Sequence, residues 1–350
     1  MVFSVCPYSI LRGRNGNMMN KLLVQIPRHL APAFFDEHTL AELASLGEVE
    51  WNPFDRPFTE EELISRIQGA DALITSWRCT PVSDAVLDAA GRLQLVAQMA
   101  GSIRPVFPTW SVYDRSIRVL NSNYAIAVSV SESVLALILA LGHKIIPVDR
   151  AMRGGQVQKH EGMESYELRG KTVGLIGLGM VAREVIKLLQ PFGGAILVYD
   201  PFVSEEVAGE LGVHLLPLDE VLSRSDIISL HAPKVPETYR MIGAGQLKRI
   251  KDGALLINTA RGDLIDEEAL LAELRQNRFY AGLDVFETEP LAADSEFRRL
   301  DNVIARPHLA GVNADSRRRI GKLMVQDMKR HFTGEPVMFE VKREQLAIMT

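Results

Sequence analysis

The sequence predicts an α/β protein in which parallel sheets are covered by helices on both faces. Short apolar runs alternate with amphipathic stretches along most of the chain, a rhythm typical of parallel strands joined by crossover helices. The apolar runs are nearly continuous, which indicates strands that are buried on both faces. With 350 residues and about 150 residues per domain, we expect two domains.

The first third of the chain contains five predicted strands and three predicted helices. Apolar runs place the strands at residues 21–26, 49–51, 72–75, 95–99 and 117–121. Amphipathic spacing places the helices at residues 34–46, 60–67 and 83–90. Thr59, with Glu62 three residues later, forms a capping-box pattern at the start of the second helix.

The rest of the chain repeats this alternation more strongly. A long helix is predicted at residues 131–146, and further helices at 181–189, 218–223, 266–276 and 315–332. Strands are predicted at residues 172–176, 195–199, 226–230, 253–258, 280–285 and 302–305. Residues 1–20 carry no signal-peptide pattern and are predicted to form a disordered leader.

Composition disfavours nucleic-acid, membrane and disulfide-scaffold classes of protein. Lys and Arg number 39 against 44 Asp and Glu, so the formal net charge is -5 and no surface for an anionic polymer is indicated. Two cysteines, Cys6 and Cys79, predict a reducing, cytoplasmic setting. The most lipid-like run, residues 134–141, is shorter than the ~20 residues of a spanning helix. No histidine spacing indicates a metal site.

A glycine-rich turn between a predicted strand and a predicted helix indicates a dinucleotide site. Gly177 permits a tight turn, Gly179 lets the backbone approach a pyrophosphate, and Ala182 is small enough for helix–strand packing. Asp200 ends the next strand, 23 residues after Gly177, where a ribose-binding acid is expected. A plain turn residue before Pro201 is the alternative for Asp200. An acid at this position favours NAD, because it would repel a 2′-phosphate.

Three titratable residues follow strands in the same part of the chain. Arg261 follows LLINTA, and His308 follows VIARP. Glu289 follows DVFET, four residues after the predicted strand 280–285. The carboxyl ends of parallel strands are where α/β proteins bind ligands. Arg binds a carboxylate in a bidentate manner, His exchanges protons near neutral pH, and a neighbouring Glu favours the protonated imidazole. This set suits hydride transfer to a 2-keto acid. Each residue also has a plainer alternative: Arg261 as a cap on the strand end, Glu289 as a solvated loop acid, and His308 as a core histidine.

Five segments carry a resemblance to a known family: VGLIGLGMVAREV (173–185), LHAPKVPETYRMI (230–242), LLINTARGDLIDEEALLAEL (255–274), GLDVFETEPL (282–291) and ARPHLAGV (305–312). Together and in this order they resemble the D-isomer-specific 2-hydroxyacid dehydrogenases, from about residue 120 to residue 335. The resemblance implies two Rossmann-like or flavodoxin-like parallel-sheet domains with an active-site cleft between them. It implies a discontinuous substrate-binding domain (21–123 and 313–350), a NAD-binding domain (124–312), and a homodimer with the helix at 131–146 in its interface.

The resemblance also assigns roles to individual residues. Arg261, Glu289 and His308 become the catalytic trio, with His308 as acid–base, Glu289 assisting it, and Arg261 orienting the substrate. The reaction implied is NAD(H)-dependent hydride transfer to or from C2 of a small D-2-hydroxy or 2-keto acid. Contacts to NAD are expected from residues of the glycine turn and of the strand ends: Gly177, Gly179, Met180, Val181, Asp200, His231, Ala232, Pro233, Thr259, Ala260, Asp284 and Gly311.

The expected substrate loop departs from the family pattern. The family's GxGxDxxD is replaced by a segment without the Asp, so the backbone of Ala100, Gly101, Ser102 and Ile103 is expected to bind the substrate carboxylate. Arg104 is hypothesised to recognise a further anionic group, with a solvated surface arginine as the alternative. Phosphoglycerate, glyoxylate, hydroxypyruvate and D-lactate chemistry all stay open, and Glu289 disfavours the formate dehydrogenase branch. A NAD-sensing, corepressor-like binding protein on the same fold is the alternative from another class.

Overall fold

The computed structural model describes residues 19–155 and 165–347. Most of the predicted leader lies outside these residues, although Asn20, which was assigned to it, is the first residue of a strand. The chain divides into two compact units, residues 1–126 with 313–350, and residues 127–312. We call them the first and the second domain. Each is built on one parallel sheet, which confirms the predicted fold class.

The sheet of the first domain has five parallel strands in the order β2-β1-β3-β4-β5. The strands are β1 (Asn20–Val24), β2 (Gly47–Trp51), β3 (Ala72–Thr75), β4 (Leu95–Gln98) and β5 (Arg118–Asn121). The helices are α1 (Glu37–Leu46), α2 (Glu60–Ile67), α3 (Asp84–Ala89), α4 (Ser111–Asp114) and, near the C-terminus, α12 (Ala314–Thr333). This strand order is that of flavodoxin-like sheets, whose ligands bind at the carboxyl ends of the strands.

Successive strand residues enter two different cores of the first domain, because side chains alternate across a sheet. Leu23 and Leu73 are buried in the cluster that contains α2 and α3. Leu22 and Ile74 are buried in the cluster that contains α12. This burial on both faces explains the continuous apolar runs in the sequence. The capping box at the start of α2 is also confirmed.

The sheet of the second domain has seven parallel strands in the order β12-β11-β10-β9-β6-β7-β8. They are β6 (Val173–Ile176), β7 (Ile196–Tyr199), β8 (His214–Leu215), β9 (Ile227–Leu230), β10 (Leu255–Asn258), β11 (Tyr280–Leu283) and β12 (Val303–Ala305). The helices are α5 (Asn123–Gly142, which begins in the first domain), α6 (Ile145–Arg153), α7 (Met180–Leu189), α8 (Glu205–Leu211), α9 (Leu218–Arg224), α10 (Ala244–Leu247) and α11 (Glu267–Leu274). The order reverses between β6 and β9, and dinucleotides bind at such a switch point.

The predicted helix at 131–146 is wrong in its extent. α5 begins at Asn123, eight residues earlier, and ends at Gly142. Lys144 adopts a left-handed backbone conformation with φ 50° and separates α5 from α6. α5 has the 20 residues and the apolar composition that crossing a membrane requires, unlike the short run considered in the sequence. However, 56% of its most apolar window is buried inside the protein, as in a core helix.

Candidate active site

The glycine turn between β6 and α7 leaves open space beside the N-terminus of the helix. Gly177 has φ 96°, and a Cβ on it would lie 2.8 Å from the backbone N of Ala232. A Cβ on Gly179 would meet no atom within 4 Å. Gly179 is the N-cap of α7 and supplies no side-chain capping bond. The first N–H groups of α7 and the positive end of its dipole are therefore available to an anion.

Asp200 follows β7, the strand beside β6, and braces the glycine turn. Its Oδ2 accepts a hydrogen bond from the Leu178 N–H at 2.8 Å, and its Oδ1 accepts one from the Phe202 N–H at 2.9 Å. Each carboxylate oxygen can accept a second bond. Contact with a ribose hydroxyl therefore stays a prediction, and the structure adds a positioning role that the sequence did not reveal.

Two buried polar atoms stand at adjacent strand ends without hydrogen-bond partners in the described part of the chain. They are Nε2 of His231, which follows β9, and Oγ1 of Thr259, which follows β10. β9 and β10 pair in register up to Leu230 and Asn258, so the two orphaned residues are neighbours. Burial lowers the pKa of His231 to about 3 and keeps its imidazole neutral. An unmet buried polar atom costs about 1–3 kcal/mol, so a bound ligand that bonds these atoms is favoured.

The surroundings of the glycine turn fit a dinucleotide. Met180 begins α7 with 49% of its surface exposed, which is high for so apolar a side chain. Val181 is half-buried, and Ala182 is fully buried against the sheet, as its small size predicts. Ala232 is buried, and the Pro233 carbonyl accepts a hydrogen bond from the Thr238 hydroxyl at 2.6 Å. Uncapped N–H groups, orphaned polar atoms and exposed apolar surface are therefore gathered at one edge of the sheet.

The loop after β10 holds Arg261 in place through the last residue of the strand. Asn258 Oδ1 accepts a bond from the Ala260 N–H at 3.1 Å, and Asn258 Nδ2 donates to the Arg261 carbonyl at 2.9 Å. Arg261 Nη1 donates to the Ala260 carbonyl at 2.6 Å. Burial lowers the pKa of the Arg261 guanidinium, while the Glu289 and Asp263 carboxylates oppose that shift. Arg261 therefore lies within electrostatic reach of Glu289.

Gly262 joins the Arg261 loop to the loop that carries Glu289. A Cβ on Gly262 would lie 1.9 Å from the backbone carbon of Phe286 and 2.2 Å from the backbone N of Glu287. Real Cβ atoms do not approach other atoms so closely, so only glycine permits this contact between the two backbones. Sequence analysis missed this residue, because its partners are 24 and 25 residues away.

Glu289 and His308 form a hydrogen-bonded pair. His308 Nδ1 lies 2.7 Å from Glu289 Oε2, with side chains that are 48% and 35% exposed. Glu289 Oε1 accepts a bond from the Phe286 N–H at 3.1 Å, which orients the carboxylate. Because Nδ1 faces the carboxylate, Nε2 is the imidazole nitrogen left for a substrate.

Asp284, the first residue after β11, holds the loop on which His308 lies. The carboxylate is fully buried and accepts bonds from the N–H groups of Leu309 at 3.0 Å and Ala310 at 2.8 Å. The backbone carbonyl of Asp284 accepts the His308 N–H at 2.7 Å, and Arg306 Nε lies 3.5 Å from the carboxylate. His308 itself adopts φ 55°, a strained conformation for a non-glycine residue. The expected contact of Asp284 with the nicotinamide amide stays a prediction, as does the cofactor contact of Gly311 next in the loop.

The Ala100–Ile103 loop belongs to the first domain and follows β4. Its carbonyl groups are bonded: that of Ala100 to the Ser122 N–H and hydroxyl, that of Gly101 to Asn121 Nδ2, and that of Ser102 to Gln98 Nε2. No acceptor for the N–H groups of Ala100, Gly101, Ser102 or Ile103 lies among residues 19–155 and 165–347. Consecutive unbonded N–H groups suit a carboxylate.

Arg104 has partners within the first domain, and its hypothesised contact with a further anionic group of the substrate stays a prediction. Its Nη2 donates a hydrogen bond to the Leu346 carbonyl at 2.9 Å. Its guanidinium carbon lies 5.9 Å from the centre of the Trp110 ring, a cation–π distance. Arg104 therefore attaches the end of the chain to the neighbourhood of the Ala100–Ile103 loop.

The fold and this edge of the second domain define a dinucleotide-binding α/β protein, and comparisons with known proteins identify its family. Residues 135–310 match the model of the D-isomer specific 2-hydroxyacid dehydrogenase, NAD binding domain. The glyoxylate reductase of Korarchaeum cryptofilum is 33% identical over 313 residues, which are 88% of this chain and 94% of that protein. The chain therefore belongs to the D-isomer-specific 2-hydroxyacid dehydrogenase family, and its second domain is a NAD-binding domain.

Other relatives differ in length. The D-3-phosphoglycerate dehydrogenase of Archaeoglobus fulgidus is 35% identical over 280 residues, 80% of this chain. The match spans about half, 53%, of that relative. A crystal structure of a protein from Thermus thermophilus superimposes with a TM-score of 0.75 at 28% identity, covering 92% of this chain and all of that one.

Proposed function

We propose that the protein is a NAD-dependent oxidoreductase that transfers hydride between nicotinamide and C2 of a small D-2-hydroxy or 2-keto acid. The observation that carries the proposal is the Glu289–His308 pair, 2.7 Å apart, on loops at the carboxyl edge of a NAD-binding sheet. Arg261 lies on the neighbouring loop and is positioned by Asn258. This arrangement supports the proposal that His308 is the proton donor and Arg261 the carboxylate-binding cation, since ligands bind at this end of a parallel sheet.

His308 acts as the acid–base group in this mechanism. In the reductive direction, the protonated imidazole gives its Nε2 proton to the oxygen of the substrate carbonyl as negative charge develops there. Glu289 accepts the Nδ1 proton in a hydrogen bond and stabilises the imidazolium before transfer. When bound, NADH supplies the hydride for C2. In the oxidative direction, neutral His308 takes the hydroxyl proton back.

Arg261 orients the substrate. Its planar guanidinium can bind a carboxylate with two parallel hydrogen bonds. The N–H groups of Ala100–Ile103, which have no acceptor in the described part of the chain, support a second part of the proposal, in which this loop binds an anionic group of the substrate. The coenzyme would be held by the N–H groups at the start of α7, by Asp200 at a ribose hydroxyl, and by the orphaned atoms of His231 and Thr259.

The decisive experiment is NADH oxidation against a panel of 2-keto acids: glyoxylate, hydroxypyruvate, 3-phosphohydroxypyruvate and pyruvate. We expect turnover of at least one. His308→Asn should lower kcat by about 10²–10⁴-fold, the usual contribution of a general acid, with NADH affinity retained. His214→Asn, an exposed histidine of the same domain, is the matched control and should change nothing.

Two outcomes contradict the proposal. Full activity of His308→Asn would exclude its role as the acid. Tight NADH binding without turnover of any keto acid would favour a NAD-sensing binding protein instead.

We also infer a homodimer, and we expect it in the cytoplasm. α6 has no buried residue and exposes Ile145, Ile146 and Met152, at 54%, 42% and 58% of their surfaces. An apolar helix face of this kind indicates a protein interface, and it continues directly from the helix that the family resemblance places at a dimer contact. Sedimentation equilibrium would distinguish a dimer from a monomer.

A further inference from the structure

A stretch near the C-terminus packs beside the predicted substrate loop of the first domain. We call residues 339–346 the C-terminal segment. It runs antiparallel to β5: the Val341 N–H donates to the Val119 carbonyl at 2.8 Å, and the Asn121 N–H donates to the Phe339 carbonyl at 3.1 Å. The segment therefore covers β5, the edge strand of the sheet. The other neighbour of β5 is β4, which leads into the Ala100–Ile103 loop.

Further contacts hold the C-terminal segment in this position. The Tyr113 hydroxyl donates to the Val341 carbonyl at 3.2 Å, and Arg343 pairs with Asp114 at 2.6 Å. Both partners of the segment lie on α4. These contacts anchor the segment as far as Arg343 and do not involve Leu346.

The last residues are held by Arg104, one position beyond the loop. Arg104 Nη2 donates to the Leu346 carbonyl, and the Arg104 N–H donates to the Ser102 hydroxyl at 3.2 Å. The side chains of Leu346 and Ile103 are buried in the same apolar cluster, 9% and 1% exposed. Loop and segment are therefore joined by both a charged hydrogen bond and a shared core.

We propose that Arg104 and the C-terminal segment together position the Ala100–Ile103 loop and so set the affinity of the enzyme for its keto acid. Arg104 is a positioning residue in this account, because its guanidinium contacts Leu346 and Trp110. The inference rests on the proposed function insofar as the loop binds substrate. The N–H groups of the loop bind a carboxylate well only if they are held in one arrangement, since preorganisation avoids the entropic cost of ordering them.

The test compares Arg104→Met, Arg104→Lys and Leu346→Ala with a matched control, Arg56→Met. Arg56 also lies over an aromatic ring, Phe54 at 4.5 Å, and also donates to a backbone carbonyl. It has no contact with the loop among the described residues. We expect Arg104→Met to raise KM for the best keto acid about tenfold, the loss typical of a hydrogen bond to a charged group. We expect kcat within about twofold and NADH affinity unchanged.

The remaining variants separate positioning from general stability. Arg104→Lys keeps a cationic donor for the Leu346 carbonyl and should retain most of the affinity. Leu346→Ala keeps the carbonyl but removes the side chain that packs in the cluster with Ile103, so it should also raise KM. The effect of the double variant should be smaller than the sum of the two single effects, because both contacts hold the same segment. Arg56→Met should leave KM unchanged. An unchanged KM in Arg104→Met, or an equal rise in Arg56→Met, overturns the proposal.

Amide hydrogen exchange tests the inference without any substrate. The N–H groups of Val106 and Ser122 donate to the carbonyls of Ile103 and Ala100, so their exchange reports on the loop. Arg104→Met should speed exchange at both, and trypsin should cleave faster after Lys342 or Arg343. If the wild-type protein turns over no keto acid, the proposed function fails while the exchange result still decides the inference. Unchanged exchange at both amides refutes it.

Discussion

Asp284 offers the sharpest test of how the acid–base loop is built. The carboxylate is fully buried and accepts one backbone N–H of the His308 loop on each oxygen. In Asp284→Asn the shape is kept, but one oxygen becomes an NH₂ group that must face a donor. One buried N–H then loses its acceptor, at about 1–3 kcal/mol. The substitution also weakens the ion pair with the partly exposed Arg306, which adds at most about 1 kcal/mol to the loss of stability.

We therefore expect Asp284→Asn to lower the free energy of unfolding of the second domain by about 1–4 kcal/mol. Because the same bonds fix the His308 backbone, a shift of about 1 Å in this loop should lower kcat about 10²-fold. All three tryptophans, Trp51, Trp77 and Trp110, belong to the first domain. Urea unfolding followed by tryptophan fluorescence should therefore be unchanged, while the transition followed by circular dichroism should gain an earlier phase.

Asp301→Asn is the matched control for this prediction. Asp301 lies in the same domain and pairs with Arg150, but the two side chains are 77% and 68% exposed. Exposed ion pairs contribute little, about 0–1 kcal/mol. If Asp284→Asn shifts the circular dichroism transition no more than Asp301→Asn does, then Asp284 does not hold the histidine loop and the reasoning fails.

Three further predictions concern the coenzyme site, pH and assembly. Gly177→Ala puts a Cβ 2.8 Å from the Ala232 backbone at φ 96°, so NADH affinity measured by fluorescence titration should fall at least about tenfold; unchanged affinity would contradict the assigned turn. Burial lowers the pKa of His231 from 6.5 to about 3, so its contribution to stability is fully present above about pH 6.5 and is lost as the pH falls toward 3. By pH 5 the loss is about 2 kcal/mol, and His231→Asn should remove that part of the pH dependence in urea titrations. Ile145→Glu should convert the proposed dimer to monomer in sedimentation equilibrium, and a dimer that persists would place the interface elsewhere.

Local features of the fold were predictable from the sequence. The capping box of Thr59 and Glu62 involves residues three apart, and the structure has both of its hydrogen bonds. The strand ends that carry Arg261 and His308 were found because apolar runs stop there. These signals are read within one turn or one strand, so they do not depend on the rest of the chain.

Long-range contacts explain what the sequence could not provide. The contact between Arg104 and Leu346 was missed because the two residues are 242 positions apart. The close approach of Gly262 to Phe286, and the support of the His308 loop by Asp284, likewise join separate βα units. The break between the two helices at Lys144 is a left-handed backbone conformation. Lysine rarely adopts this conformation, so the sequence does not predict a break there. Tertiary packing decides each of these cases.

The net charge of -5 does not conflict with a protein that binds anions. In the first domain, carbonyls of the Ala100–Ile103 loop accept bonds from strand-end amides, while its N–H groups have no acceptor among the residues that the structure describes. In the second domain, Gly179 opens α7 without a capping side chain. Both arrangements produce partial positive charge from neutral backbone dipoles, which no count of charged residues includes. In the proposed function, Arg261 adds one full charge where a carboxylate must be oriented, and there its planar, two-pronged geometry matters more than the charge balance of the whole chain.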